Sequence, residues 1–411
     1  MHYSPIRILA AAVLGTALLT SAPAHSADND ALSNLLKVLH DKGTLSDSEY
    51  QALVQAAAED QAEASKSDSR RTADAGPADW TSRVKLEGDI RNRFESNSTD
   101  GKTHRNRERL RYRLGIIAEP TEHVEVGAGL ASGGSDPRST NQTYSDAFSS
   151  KGINLDYAYG QVRYDNFAAV AGKFNPWGKY LYTVDDLMWD DDIRPEGLSA
   201  KYDFSNGLGK TFVNGGVWVL GEFSNSSEDP YMAYAQLGQT FGDDGFFATV
   251  AGTYYDFISV RPGATSALAD SNIGQFSAGS NTDYRFDAVA IDAEIGSKRL
   301  FGGAWSGSLF GNVVNNTNLD NQDGGFSVGA KLGTGPWSFK YIYANLDTNA
   351  WLDIFPDSDR FGGATDVRAH EGAVKYAVNK YVDLGIDFYH STQKSTDVSQ
   401  NLLQADVVFK F

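Results

Sequence analysis

The chain of 411 residues contains no cysteine. That excludes disulfide staples, thiol nucleophiles and thiolate metal ligands together. A basic excess is missing as well: 36 Lys and Arg stand against 53 Asp and Glu, a net charge of -17, which argues against a nucleic-acid partner. Histidine is scarce, and within residues 80–411 the one adjacent Ser/His pair is His390-Ser391. Neighbours on a strand face opposite ways, so this pair does not build a nucleophile with its base, and the chain reads as a non-enzyme. Long apolar runs are absent after the N-terminus. The single run, ILAAAVLGTALL, falls short of the roughly 20 residues a spanning helix needs.

That run has a different use. Arg7 precedes it and Ala22-Pro23-Ala24 follows it, the order of a cleaved secretory signal over 1–24. Residues 28–64 carry helical periodicity: Leu32, Leu35, Leu36 and Leu39 form one stripe, and Ser46 with Glu49 fits a capping box ahead of Tyr50, Leu53, Val54 and Ala57. Such a hairpin cannot bury both stripes alone, so self-association or docking is expected. Residues 65–79, SKSDSRRTADAGPAD, read as a linker.

From residue 80 to 411 the pattern changes to alternating segments, about sixteen of them by count. In VKLEGDIRNRFE, Val84, Leu86, Ile90 and Phe94 share one face, while Lys85, Glu87, Asp89, Arg91, Arg93 and Glu95 share the other. Short connections such as PTEH, DN, TGP and NK alternate with long ones at 96–104, 133–151, 175–196, 259–281 and 347–366. A soluble sandwich shares the two-residue period. Aromatic residues near strand ends, small residues on the apolar faces and a chain that stops at ADVVFKF separate the two readings. The fold expected is an all-β transmembrane barrel of antiparallel strands, preceded by a short α-helical segment.

The signal, the alternating strands and the terminal VVFKF resemble a bacterial outer-membrane porin; LLKVLHDKGTLSDSEYQALVQ, GKFNPWGKY and DDLMWDDDIRPEGLSAKY resemble the putative-porin group. The resemblance implies an outer-membrane barrel, a periplasmic helical segment, a homotrimer, and lipids and lipopolysaccharide as surroundings. It also implies that Val407, Phe409 and Phe411 are read by the barrel-assembly machinery, and that small polar solutes or ions pass. No cofactor is implied.

With the apolar faces in lipid, charge must line a lumen. Lys85, Arg91, Arg93, Arg109, Arg111, Arg113, Arg163, Lys173 and Lys201 form the expected basic wall. Porins typically fold their third loop inward; here that loop carries Asp185, Asp186, Asp190, Asp191, Asp192 and Glu196, expected to compensate the wall and narrow the pore. An acidic surface loop and a divalent-cation site on DDLMWDDD are the alternatives, and carboxylates alone fix no ligand geometry, so no metal is assigned. Tyr157, Tyr159 and Gln161 are read as packing residues ahead of sugar-stacking ones. If residues 28–64 drive trimerisation, crosslinking of a chain lacking them yields less trimer than the whole chain; equal yield assigns assembly to the barrel wall.

Overall fold

The computed structural model describes residues 83–222, 229–243, 245–260 and 286–411. The signal, helical segment and linker expected over 1–24, 28–64 and 65–79 lie outside these residues, as do Trp80 and most of the connection at 259–281.

Among the described residues seventeen strands form one antiparallel sheet: β1 Val84–Thr99, β2 Arg105–Thr121, β3 Val124–Ser132, β4 Gln142–Thr143, β5 Ile153–Tyr164, β6 Phe167–Lys173, β7 Glu196–Asn206, β8 Gly209–Val219, β9 Tyr231–Gly242, β10 Phe247–Ile258, β11 Ala288–Leu300, β12 Trp305–Asn316, β13 Gly324–Thr334, β14 Trp337–Leu346, β15 Val367–Asn379, β16 Val382–Gln393 and β17 Ser399–Lys410. Apart from β4, each pairs with the next stave in the chain, and β1 also pairs with β17, which closes the sheet. Sixteen strands are staves. The two-residue β4 is the extra one: it caps the upper part of β2, and β3 pairs past it with β5.

Alternation decides the faces. Ile116, Val126, Leu198, Val213, Leu237, Ile291, Leu309, Val328, Ile386 and Leu403 are exposed, whereas Ser199, Gln236, Thr253, Asp292, Asn312, Ser327, Glu371 and Gln404 are buried. A water-soluble sheet buries its apolar face; this one turns that face outward, as a lipid-facing barrel does. On β14 Trp337, Phe339 and Tyr341 are exposed with Tyr343 half-buried, and on β16 Leu384, Ile386 and Phe388 are exposed with Val382 half-buried.

Short turns at 122–123, 165–166, 207–208, 335–336 and 380–381 share one end of the barrel, hereafter the turn end; long connections share the other. The turn end carries the closure. Phe411 and Gly88 exchange two backbone hydrogen bonds of 3.1 Å, so the last residue is still a rung of the ladder. Phe409 and Phe411 lie on the outer face and Val407 is half-buried beside them. A Cβ on Gly88 would stand 2.3 Å from the Arg113 carbonyl oxygen and 2.6 Å from the Phe411 ring. The exposed terminal ring can turn aside, but a carbonyl in the sheet cannot yield that much. Gly88→Val is therefore expected to destabilise the closed barrel by about 1–3 kcal/mol, the range for overpacking; urea unfolding followed by gel mobility of the folded form measures it, and a wild-type midpoint contradicts it.

Candidate functional site

Register sets the interior. On β1 and β2, Arg91 stands directly opposite Arg111, and Arg93 opposite Arg109. Like charges facing across strands repel, so each needs an acid. Most of that acid comes from the wall itself. Asp406 on β17, the register partner of Arg93, takes its guanidinium in a fork at 2.7 Å on both arms, and Arg91 lies 3.6 Å from the same carboxylate. Glu95 takes Arg107 and, at 3.0 Å, Arg109; Asp89 takes Arg111 at 2.7 Å. Of the nine expected basic residues, Arg113 is the one paired with the acids at 185–192, through Asp192. Arg91, Arg93, Arg109, Arg111 and Arg113 converge. The others do not join them: Lys85 pairs with Glu87 at the exposed turn end, Arg163 with Glu119 and Glu125, Lys173 with Glu196, and Lys201 with Asp203.

The connection between β6 and β7 crosses the interior, and its contacts trace the route. Tyr182 exchanges hydrogen bonds with the Gln236 side chain on β9, at 2.8 and 2.9 Å. The Val184 amide donates to Asp292 on β11 (3.1 Å), and its carbonyl accepts from Lys331 on β13 (3.0 Å). Ser327 on β13 donates to Asp185, and Arg360 donates to Asp186. Asp192 then reaches Arg113 and the Thr140 amide. The acids thus split between two walls: Asp185 and Asp186 face β13 and β14, while Asp190, Asp191 and Asp192 face β1 and β2. Glu196 opens β7, is exposed and joins neither group.

By sequence the connection at 347–366 is one more long loop. Its middle lies inside, with Trp351 and Leu352 fully buried. Trp189 packs on Phe355, Trp351, Trp218 and Tyr255 with ring centroids 4.6 to 6.0 Å apart, an aromatic core spanning two loops and strands β8 and β10. The signal was present in AWLDIF, an apolar run within a connection. Backbone contacts lock the loops: the Asp190 amide donates to Phe355 (2.7 Å), the Ser358 amide to the Asp190 carboxylate (2.9 Å), and buried Arg138, from the connection after β3, donates to the carbonyl of Asp353 (3.0 Å). Tyr159 donates to Glu125 and Tyr180 to Gln161, so two of the residues read as packing are tied into the wall.

Electrostatics follow from this crowding. Burial raises the Asp190 carboxyl well above its usual range, and Asp357, Asp192 and Asp191 add to it; Asp357 is raised likewise by burial and by Asp186, against the pull of Arg360. Burial would raise Asp192 too, but Arg113 and Arg111 override it and hold that carboxyl at about 2. Two carboxylate groups have ligand atoms close together, Asp186 with Asp357 and Glu371, and Asp190 with Asp191 and Asp192. Cationic side chains already stand at both: Arg360 with Lys340 at the first, Arg113 at the second.

Between these walls lies a void of about 360 Å³, bounded by Arg91, Arg93, Arg111 and Arg113 on one side and Asp190, Asp191, Asp192, Asp357 and Asp359 on the other. A second, of about 530 Å³, opens toward the loop end against Trp189, Trp218 and Phe355. Asp192 borders both.

Residues 95–286 match the profile of the family described as putative porins; GKFNPWGKY and DDLMWDDDIRPEGLSAKY fall within that span, whereas LLKVLHDKGTLSDSEYQALVQ and the terminal VVFKF lie outside it. Among solved structures the chain is similar to Pseudomonas putida OprB at high pH, with 12% identity over 80% of this chain and 95% of that one and a TM-score of 0.54. A Rhodopseudomonas blastica porin aligns at 13% identity over 80% of this chain and all of that one, with a TM-score of 0.45. No curated protein sequence matches. The first structure shows the shared fold: a closed transmembrane barrel.

Asp357 supplies a test of the loop packing. In the folded chain it ionises at higher pH than in the unfolded chain, so stability falls as pH rises through the unfolded value toward the folded one. One of its carboxylate oxygens has no hydrogen-bond partner. Asp357→Asn is free of that ionisation, so its melting temperature relative to wild type should climb as pH is raised from 4 to 8; a pH-independent difference contradicts the assignment.

Proposed function

We propose that the chain is an outer-membrane porin: a water-filled channel for passive diffusion of small hydrophilic solutes or ions, working as a homotrimer among outer-membrane lipids and lipopolysaccharide after insertion by the barrel-assembly machinery. The observation that carries this reading is the inverted alternation around the void where Arg91, Arg111 and Arg113 face the third-loop acids. Barrels of about sixteen strands are wide enough to leave an aqueous path. An ionised lining has no structural use in lipid and a direct one in water.

The mechanism is electrostatic. Arginines on β1 and β2 and carboxylates of the loop set up a field across the passage, which favours solutes that carry charge or can orient a dipole and disfavours apolar ones. Asp192 borders both voids and pairs with Arg113, which supports reading it as the point where the third loop narrows the passage. The non-enzymatic reading is supported by His390 and Ser391: the serine is buried on the inner face and the histidine lies on the outer one.

A non-conducting structural or adhesion barrel is the second reading, favoured by the aromatic core around Trp189 that fills the β8–β10 side. Planar-bilayer recording separates the two. The folded chain is expected to give discrete channels, and their absence sinks the porin reading. Replacing Arg91, Arg111 and Arg113 by Glu should shift the reversal potential in a salt gradient toward cation selectivity. An unchanged potential in a folded variant removes this wall from control of permeation.

A further inference from the structure

A second basic surface lies on the other wall, at the turn end. Lys331 on β13 stands directly opposite Lys340 on β14, with Ser308 of β12 next in the same row. One row closer to the turns, Ser306, Gly333, Ser338 and Lys375 follow one another across β12 to β15. These rows, together with Lys298 of β11, line a cavity of about 450 Å³ whose lining holds four lysines, four serines and no carboxylate.

Stability does not account for that composition. Two lysines opposed across a strand pair repel, and a sheet selected for stability alone sets an acid against them. The compensation present is partial. Lys340 meets Glu371 and, at 4.0 Å, Asp186. Lys331 donates to the Val184 carbonyl and lies over the Phe310 ring at 4.5 Å. Lys375 makes no hydrogen bond or ion pair among the described residues, although Asp387 lies one row away on β16. Lys375 also borders the 360 Å³ void, so the cavity adjoins the arginine wall.

We propose that this cavity is an oxyanion subsite, formed by Lys298, Lys331, Lys340 and Lys375 with the hydroxyls of Ser306 and Ser338, and that it takes a phosphoryl group, free or carried on a small alcohol. The proposal rests on the channel reading for access from water. Ammonium groups act as point charges toward phosphate, and serine hydroxyls supply directed donors to its remaining oxygens. The volume exceeds that of one phosphate ion, which leaves space for an ester substituent.

The test is calorimetric titration of the folded full chain in detergent with inorganic phosphate, methyl phosphate and acetate, alongside Lys298→Gln/Lys375→Gln. That pair leaves Lys340 on Glu371 and Lys331 on the loop, so the buried acid keeps its partner; gel mobility confirms that the variant folds. Saturable phosphate binding, weaker by about tenfold in the variant as two solvated charge contacts are lost, supports the site. Methyl phosphate binding as well as inorganic phosphate assigns phosphate esters as the source; binding of inorganic phosphate alone assigns the free ion. Acetate equal to phosphate, no saturable phosphate binding by wild type, or an unaltered variant overturns the proposal. Phosphate binding without channels in planar bilayers counts against the channel reading and leaves the subsite standing.

Discussion

Hydrocarbon offers no partner to a peptide group, and pairing β1 with β17 is how this chain meets that condition. The last rung is made by Phe411 itself, bonded to Gly88 on both sides of the peptide. Everything inside follows from that closure. A sheet without edges, apolar on its outer face, has no surface except its lumen on which to place Arg, Lys, Asp and Glu at membrane depth. Charge is concentrated because there is one place for it.

Concentration forces compensation, and the structure uses two kinds. Strand acids are held by register: Asp406 is in place for Arg93 as soon as β17 pairs with β1, and its fork geometry requires no loop to be ordered. Removing either partner from so buried a pair would leave an uncompensated charge, which costs several kcal/mol in typical cases, about 3–5. Loop acids require chain entropy to be given up, and the third loop recovers it through the packing of Trp189 and the bonds of residues 182–186 to β9, β11 and β13. The arginine wall therefore draws its acids chiefly from its own strands, contrary to the expectation that the loop would neutralise it. Asp192 on Arg113 is where the two kinds meet.

Much of the fold was legible because a barrel strand carries a period of two and nothing else need be known. Each of the sixteen segments read as strands is a stave, and the outer face assigned to Val84, Leu86, Ile90 and Phe94 is the face observed. β4 was missed: Gln142 and Thr143 lie within a polar connection with no alternation to read. The convergence of Arg91, Arg93, Arg109, Arg111 and Arg113 was visible since β1 and β2 are adjacent in sequence and a hairpin fixes their register. Lys173, Lys201 and Glu196 were grouped with them only by sign, and distance separates them. The lysine rows were invisible for the opposite reason, as Lys298, Lys331, Lys340 and Lys375 come from four strands and only the register of β11 to β15 aligns them.

The inward position of the third loop is not a property of that loop alone. Its acidic end hangs on Phe355 and Ser358 from the connection after β14, and Arg138 from the connection after β3 donates to carbonyls of that same segment. Two of the three loops share one aromatic core, and the third is tied to them through Arg138. The side of the lumen around Trp189, Trp218 and Tyr255 is packed with aromatic rings; the charged side, between Arg91 and Asp191, holds the 360 Å³ void. A packed aromatic core beside the charged groups limits how far Asp190 and Asp192 can shift from the arginines, because both residues sit on the loop that the core holds.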